Sequence, residues 1–363
     1  MLLPELPSYL ASMGGAEYKG LIISLFTITA MISRPFSGKL ADRIGRVPVI
    51  LAGSAVCLVC SLFYPLLTTV AGFLLLRLIH GFSTGFTPTG QAAYLADIIP
   101  ARKRGEAMGF LGTAGTLGMA AGPAAGGMLG NIFGINAVFY CSSAFALLSI
   151  IIVFNIRETL TEKHSLHLRV MKIRREDLFE PKVLLPCVVM ALCAYAYGAA
   201  FTVLPDFGEH VGIRNKGLLF TCLLVASLAI RMIGGKASDH YGRRPVLMIS
   251  TVTIVLAMMT VALAETPLQL IAGVTLYGLG QGATSPTLLA WATDLSDLNN
   301  KGRGIASLYI FMELGIGIGA FASGAIYGNQ PDRFMITFMV CSALALAAFL
   351  YLVATREPAR VLQ

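Results

Sequence analysis

Charge is scarce in this chain of 363 residues: Asp, Glu, Lys and Arg together make up only 13%. A soluble domain carries about a quarter charged residues, so too little polar side chain is present to cover a water-facing surface. A mean hydropathy of +0.75 points the same way. The five histidines are scattered without metal-binding spacing, and no metal or other cofactor is expected. The seven cysteines (Cys57, Cys60, Cys141, Cys187, Cys193, Cys222 and Cys341) all stand in apolar runs, where a cysteine is a small buried hydrophobe. No disulfide framework follows, and the Cys57-x-x-Cys60 pair lacks the adjoining His or second pair that a metal or redox site needs. There is no G-x4-GK[ST] phosphate loop, so an ion gradient rather than that ATP chemistry is the expected energy source. No catalytic set of an enzyme emerges. The ten-residue alternation of membrane strands is also missing.

What is present is a succession of apolar runs of about 20 residues, the length needed to cross about 30 Å of hydrocarbon as helices. They fall at 19–38, 47–67, 70–94, 105–129, 133–156, 182–205, 217–237, 245–264, 267–292, 303–328 and 333–354. Ahead of them, "MLLPELPSYLASM" makes a helix of about 20 Å at 1.5 Å per residue, short of the bilayer. It reads as the outer half of a twelfth helix whose start lies ahead of this chain. Alternate loops hold 20 of the 27 Lys and Arg residues, and the basic side of a membrane protein faces the cytoplasm. These cations cluster beside apolar segments without interleaved aromatics, so the net charge of +8 reads as a topology signal and not as nucleic-acid binding.

Residues 34–49, "RPFSGKLADRIGRVPV", and 231–246, "RMIGGKASDHYGRRPV", align without a gap at an offset of 197 and share eight of sixteen residues. Six crossings separate them, which describes two six-helix halves in parallel orientation. The expected division is 1–156 and 182–363, with a cytoplasmic linker at 157–181 in which "LHLRVMKIRREDLF" suits a surface helix or an ordinary solvated link. In each block a glycine removes a side chain where helices approach closely (Gly38, Gly235) and a second permits a left-handed turn (Gly45, Gly242). Asp42 can cap an adjacent helix end, while Arg43 and Arg46 are expected at the membrane interface; Gly235, Asp239, Gly242 and Arg243 are the matching latch positions of the second block. Together they form a cytoplasmic latch. Arg34 and Arg231 are expected to snorkel outward, and Asp97 and Asp294 to pair with nearby arginines.

This doubled pattern resembles the loop signature of the major facilitator superfamily, and the resemblance covers essentially the whole chain. It implies an all-α membrane fold of two six-helix bundles related by a pseudo-two-fold axis, with the first helix truncated here. A second stretch, "GFLGTAGTLGMAAGPAAGG" at 109–127, sets Gly109, Gly118, Gly122, Pro123, Gly126 and Gly127 at G-x8-G-x3-GP-x2-GG spacing. Pro123 removes one backbone donor, and the glycines allow close helix packing. The stretch resembles the antiporter signature of drug:proton antiporters and implies export. Arg77 in "LLLRLIHGFSTG" matches the family's intramembrane arginine and by resemblance belongs to proton coupling; His80 stands where glutamine is more usual, and is a candidate because an imidazole can itself titrate. Glu5, between two prolines, is similar to a first-helix motif of such exporters.

Glu313, deep in the eleventh helix, is a further proton-coupling candidate, because burial raises a carboxyl pKa; a structural hydrogen bond is the competing reading. Tyr195, Tyr197, Phe201, Trp291, Tyr309 and Met312 are expected cavity lining. The expectation is thus a monomeric, multi-pass transporter of the plasma (inner) membrane. Its partners would be the lipid bilayer, protons and a small-molecule substrate, and it would export small amphiphilic compounds by alternating access. Two other readings stay open: transport of a specific sugar, amino acid or lipid, and a non-transporting membrane receptor or scaffold.

Overall fold

The computed structural model describes residues 2, 5–15, 18–160, 174, 177–213, 217–328 and 330–355. Among them there are twelve α-helices and no strand. They are α1 (Leu6–Ser12), α2 (Lys19–Arg43), α3 (Arg46–Phe63), α4 (Val70–Ile98), α5 (Arg104–Phe133), α6 (Ile135–Phe154), α7 (Leu184–His210), α8 (Gly217–Tyr241), α9 (Arg243–Ala262), α10 (Pro267–Leu295), α11 (Lys301–Tyr327) and α12 (Phe334–Ala354). Each of the eleven expected apolar runs falls on one of α2 to α12, and among the described residues eight helices are long and apolar enough to cross a membrane. The proposed linker helix falls largely on residues outside the described ones.

The 197-residue period is visible in the helix starts. α3 and α9 begin at Arg46 and Arg243, α4 and α10 at Val70 and Pro267, α5 and α11 at Arg104 and Lys301. The expected turns precede α3 and α9, where Gly45 has φ +136° and Gly242 φ +95°, a region that side chains with a Cβ avoid. Prolines 35, 88, 123, 205 and 286 lie inside continuous helices. In a membrane, neighbouring helices and local adjustments satisfy the backbone groups that proline releases.

The chain divides into two compact units. The first comprises Met1–Ile98, Leu117–Glu180 and Asp297–Ser307; the second comprises Ile99–Thr116, Pro181–Ser296 and Leu308–Gln363. α5 and α11 therefore each contribute their first residues to one unit and the remainder to the other. Between apolar helices in lipid there is little hydrophobic driving force, so cohesion comes from close packing. In the first unit Tyr64 stacks on Phe139 at 5.1 Å and lies 5.4 Å from Phe73, with Leu6, Leu10 and Ile22 buried around them. In the second, Phe207 stacks on Phe334 at 4.4 Å. Equivalent glycines set the helix spacing: a Cβ at Gly81 would overlap the carbonyl oxygen of Phe26, and one at Gly278 that of Leu223, again 197 residues on.

Candidate functional site: two helix-end carboxylate clusters and a buried arginine

In the first unit Asp42 lies at the end of α2, 7% exposed, against the first turn of α11. Its carboxylate accepts hydrogen bonds from the Gly302 and Arg303 backbone N–H groups at 2.7 and 2.8 Å and from Arg46 Nη1 at 3.0 Å. A helix N-terminus leaves such N–H groups without intrahelical partners and concentrates positive potential, so Asp42 serves as an N-cap supplied from 260 residues away. The approach requires Gly38, where a Cβ would lie 2.8 Å from the Ala306 Cβ and 2.9 Å from the Gly302 carbonyl oxygen.

The second unit repeats this arrangement atom for atom at an offset of 197. Asp239 accepts from the Gly105 and Glu106 N–H groups at the start of α5, both at 2.8 Å, and from Arg243 Nη1 at 2.5 Å. A Cβ at Gly235 would overlap the Gly105 carbonyl oxygen. The cations have matching second partners. Arg46 Nε donates to Asp97 at 3.0 Å and Arg243 Nε to Asp294 at 2.9 Å. Lys301 Nζ reaches Asp97 at 3.0 Å, as Arg104 Nη1 reaches Asp294 at 2.9 Å. Asp97 and Asp294 thus pair with arginine as expected.

Two expectations need correction. Arg46, expected at an interface, is 1% exposed, because its guanidinium pairs with the Asp42 and Asp97 carboxylates inside the protein; Arg243 is buried, while Arg43 is exposed. Nor do Arg34 and Arg231 reach outward. Arg34 is buried with Nη1 donating to Thr89 Oγ1 at 3.1 Å, and Arg231 Nε turns back one helical turn to Ser227 Oγ at 3.4 Å. A hydroxyl at hydrogen-bonding distance holds each guanidinium within its helix packing.

The clusters differ in what surrounds them. Around the first, Arg303 pairs with Glu180, whose N–H donates to Ser307 Oγ at 3.0 Å, and Lys39 pairs with Asp177 at 2.7 Å. Burial pushes the Asp177 carboxyl up, but the Lys39 ammonium and the Arg174 N–H outweigh it and hold it below the usual carboxylate range. Glu158 accepts from the Arg46 and Val47 N–H groups at 3.0 Å each and so caps α3. Around the second cluster, the Glu106 carboxylate pairs with the well-exposed Lys236 at 3.2 Å. Glu158, Glu180, Lys301 and Arg104 were not singled out from the sequence; for Lys301 and Arg104 the 197-residue period was the available signal.

The glycine-proline stretch of α5 is shared between the units. Gly109 lies in the second unit, where a Cβ would be 2.8 Å from the Arg231 carbonyl oxygen. In the first unit Gly118 and Gly122 border a cavity, Pro123 lies inside the helix, Gly126 is buried, and a Cβ at Gly127 would sit 3.8 Å from Glu5 Oε1.

Arg77 is 2% exposed in the first unit. Its Nε donates to the Ile22 carbonyl at 3.1 Å, Nη1 to Tyr64 Oη at 3.4 Å, and its guanidinium carbon lies 4.5 Å from the Phe26 ring centre. No carboxylate pairs with it among the described residues. His80 Nδ1 lies 3.2 Å from the same Tyr64 hydroxyl. Tyr64, which joins the two, was missed because an aromatic residue at a helix end carries no distinctive sequence signal. Glu313 is buried in the second unit at 8% exposure. Of the expected lining residues in that unit, Tyr195 and Trp291 are buried, Tyr197, Tyr309 and Met312 half-buried, and Phe201 exposed with its ring 4.6 Å from that of Tyr197.

Apolar helices of membrane-spanning length, folded as a repeat with capped helix ends and buried arginines, define a multi-pass membrane protein of the transporter class. The model of the Major Facilitator Superfamily matches residues 1–216 and again 187–363; the chain belongs to this superfamily and has its fold. It is 27% identical to the multidrug resistance protein MdtG of Escherichia coli (strain K12 / DH10B), over 97% of this chain and 89% of that protein. MdtG of strain SMS-3-5 / SECEC matches with the same figures. Among solved structures, the human organic anion transporter MFSD10 (TETRAN) superposes with a TM-score of 0.80 at 18% identity, covering 96% of this chain and 88% of that one. The proton:xylose symporter XylE bound to 6-bromo-6-deoxy-D-glucose does so with a TM-score of 0.80 at 13% identity, covering 96% and 90%.

Proposed function

We propose that this protein is a proton-coupled exporter of small amphiphilic compounds, acting as a monomer in a plasma (inner) membrane by alternating access. The observation that carries the reading is the doubled carboxylate contact. Asp42 on the first turn of α11 and Asp239 on the first turn of α5 occupy the same register. Each is a carboxylate capping a helix that belongs to the other sequence half, 1–156 or 182–363. Such a contact is strong while dry and weakens when water competes for the N–H groups, which suits a latch that opens and closes once per cycle. Export in place of uptake is supported by the glycine-proline stretch of α5 and by the name of the MdtG relatives.

Proton coupling is assigned to buried ionisable groups within the spanning helices, where such residues are costly and tend to be functional. Glu313 is the first candidate as proton carrier. Arg77, bonded to Tyr64 with His80 on the same hydroxyl, supplies a fixed positive charge, and Glu5 beside Gly127 is a second carboxyl. The test uses inverted membrane vesicles carrying the wild type or Glu313→Gln. Fluorescent-cation accumulation and lumenal pH are followed with and without an imposed proton gradient. Gradient-dependent accumulation by the wild type and its loss in Glu313→Gln is the expected result. Accumulation that ignores the gradient, or that survives in the variant, would count against the coupling; xylose-like uptake without any cation export would replace the proposal with a metabolite carrier.

A further inference from the structure

The second unit keeps a guanidinium inside a spanning helix with almost nothing bound to it. Arg231 of α8 is half-buried, and its one hydrogen bond among the described residues is the long one from Nε to Ser227 Oγ at 3.4 Å. A guanidinium has five N–H groups, so most of them have no partner there, and no carboxylate among the described residues pairs with it. A cation within a spanning helix is costly and tends to be functional. The internal repeat marks Arg231 as a departure. An offset of 197 carries it back onto Arg34 of α2, which is 1% exposed and donates from Nη1 to Thr89 Oγ1 at 3.1 Å. The same offset carries Thr89 onto Pro286 of α10, whose side chain accepts nothing. Space replaces the bond: a Cβ at Gly112 of α5 would overlap Arg231 Nη1.

The neighbours of Arg231 are aromatic. Tyr197 of α7 and Tyr309 of α11 lie within electrostatic reach of the guanidinium. From Tyr197 a row of rings continues, with Phe201 at 4.6 Å and Phe220 of α8 a further 4.8 Å from Phe201. Phe201 is 46% exposed, and Tyr197, Tyr309 and Phe220 are half-buried. Phe220 and Arg231 are three helical turns apart, so they lie on one face of α8 with about 16 Å between them. Tyr277 of α10, within electrostatic reach of Tyr197, is 1% exposed, and its hydroxyl has no partner among the described residues. Buried tyrosine hydroxyls are normally bonded, so hydrogen-bonding capacity is left over beside the row.

We infer that this part of the second unit is a subsite for an aromatic carboxylate, its anionic group meeting Arg231 and its apolar body lying on the rings of Tyr197, Phe201 and Phe220. A planar guanidinium takes a carboxylate through two parallel N–H···O bonds, and the unpartnered N–H groups of Arg231 suffice for that. Aromatic side chains supply rigid apolar area, and the Tyr197 and Tyr309 hydroxyls are further donors. The inference rests on the export reading above and extends its cargo: the compounds carried include aromatic carboxylates beside amphiphilic cations.

The test measures binding, which needs neither a gradient nor turnover. The purified 363-residue chain in detergent is titrated with tritiated biphenyl-4-carboxylate, with biphenyl-4-carboxamide as competitor. The carboxylate should bind about tenfold tighter than the carboxamide or more. Arg231→Met should remove that preference while carboxamide affinity stays within about twofold, and Arg231→Lys should retain part of it. Gly112→Ala keeps the charge but displaces the guanidinium, and should lower the preference about threefold; it keeps the inference testable if Arg231→Met fails to fold. Equal affinity for carboxylate and carboxamide in the wild type, or a preference that survives in Arg231→Met, would overturn the inference. So would full displacement of the carboxylate by phosphatidylglycerol where phosphatidylethanolamine leaves it bound, since the occupant would then be an anionic lipid headgroup. Arg231-dependent binding in a chain that moves no compound across vesicles would support the subsite and count against export. Cation export by a chain that binds no carboxylate would do the reverse.

Discussion

Replacing Asp42 by Asn tests whether its carboxylate holds the start of α11. Asp42 accepts three hydrogen bonds, from the Gly302 N–H, the Arg303 N–H and Arg46 Nη1. Asn retains one oxygen, and its amide nitrogen, a donor, must then face donors. With that oxygen in the place of Oδ1, which accepts from Gly302 and Arg46, the charge-assisted bond from Arg303 is lost, worth about 1.5 kcal/mol, and the other two fall by about half, roughly 0.75 kcal/mol each. The contact should weaken by about 3 kcal/mol, which is roughly a 150-fold shift toward its open form at 1.4 kcal/mol per tenfold. Hydrogen exchange of the peptide containing Gly302 and Arg303, followed by mass spectrometry, reads that opening directly. Their amides should exchange about two orders of magnitude faster in Asp42→Asn, while the amides of α9, remote from Asp42 in sequence and lying in the second unit, keep their wild-type rates. Unchanged protection at Gly302 and Arg303 in a well-folded variant would refute the reasoning, because the N–H groups would then be held by something other than this carboxylate.

Asp239→Asn should release the Gly105 and Glu106 amides in the same way, but by a smaller factor, about tenfold, since the Asp239 side chain is 8% exposed against 4% for Asp42 and solvent can replace part of the lost bonding; an effect on exchange equal to or greater than that of Asp42→Asn would sink this ranking. Transport by Asp42→Asn should accordingly fall further than transport by Asp239→Asn in the same vesicle assay. For the Lys39–Asp177 pair the sign follows from a carboxyl held below its ordinary value. Its contribution is fully present above the unfolded pKa of about 3.9 and is lost as pH falls through the lower folded value. Proteolytic nicking around Asp177 should therefore be constant between pH 5 and 8 and rise only in stronger acid; a rise already at pH 6 would contradict the assignment.

The periodic features were legible in the sequence and the partnerships were not. Apolar runs located α2 to α12, and the ungapped match of 34–49 with 231–246 gave the offset that the helix starts and the carboxylate contacts obey. That Asp42 caps a helix end could be argued from residue type and position. Which helix it caps could not, because Gly302 lies 260 residues away and a first turn such as "KGRG" has no feature that distinguishes an acceptor arriving from afar. The positions of Arg46, Arg34 and Arg231 were misjudged for one reason. Interface placement assumes that a membrane cation finds its counter-charge in water, whereas here Asp42 and Asp97, Thr89, and Ser227 supply partners inside the protein.

The two capped helix ends share a geometry but differ in how their neighbours are tied. In the first unit the residue that donates the second N–H, Arg303, is itself paired to Glu180, Glu180 is bonded to Ser307 of α11, and Lys39, three residues before Asp42, is paired to Asp177. Opening that contact moves groups that are also bonded to residues 177–180, so the stretch following the polar linker must be displaced or must release its own ion pairs. In the second unit the corresponding donor is Glu106, whose side chain among the described residues pairs with the exposed Lys236. Exposed pairs contribute about 0–1 kcal/mol, so beyond the Asp239, Arg243, Asp294 and Arg104 set, which matches Asp42, Arg46, Asp97 and Lys301 of the first unit, Glu106 adds little resistance to opening there. A repeat with equal contacts and unequal ties is therefore biased: under a common perturbation such as water entry, the Asp239 contact at the start of α5 yields before the Asp42 contact at the start of α11.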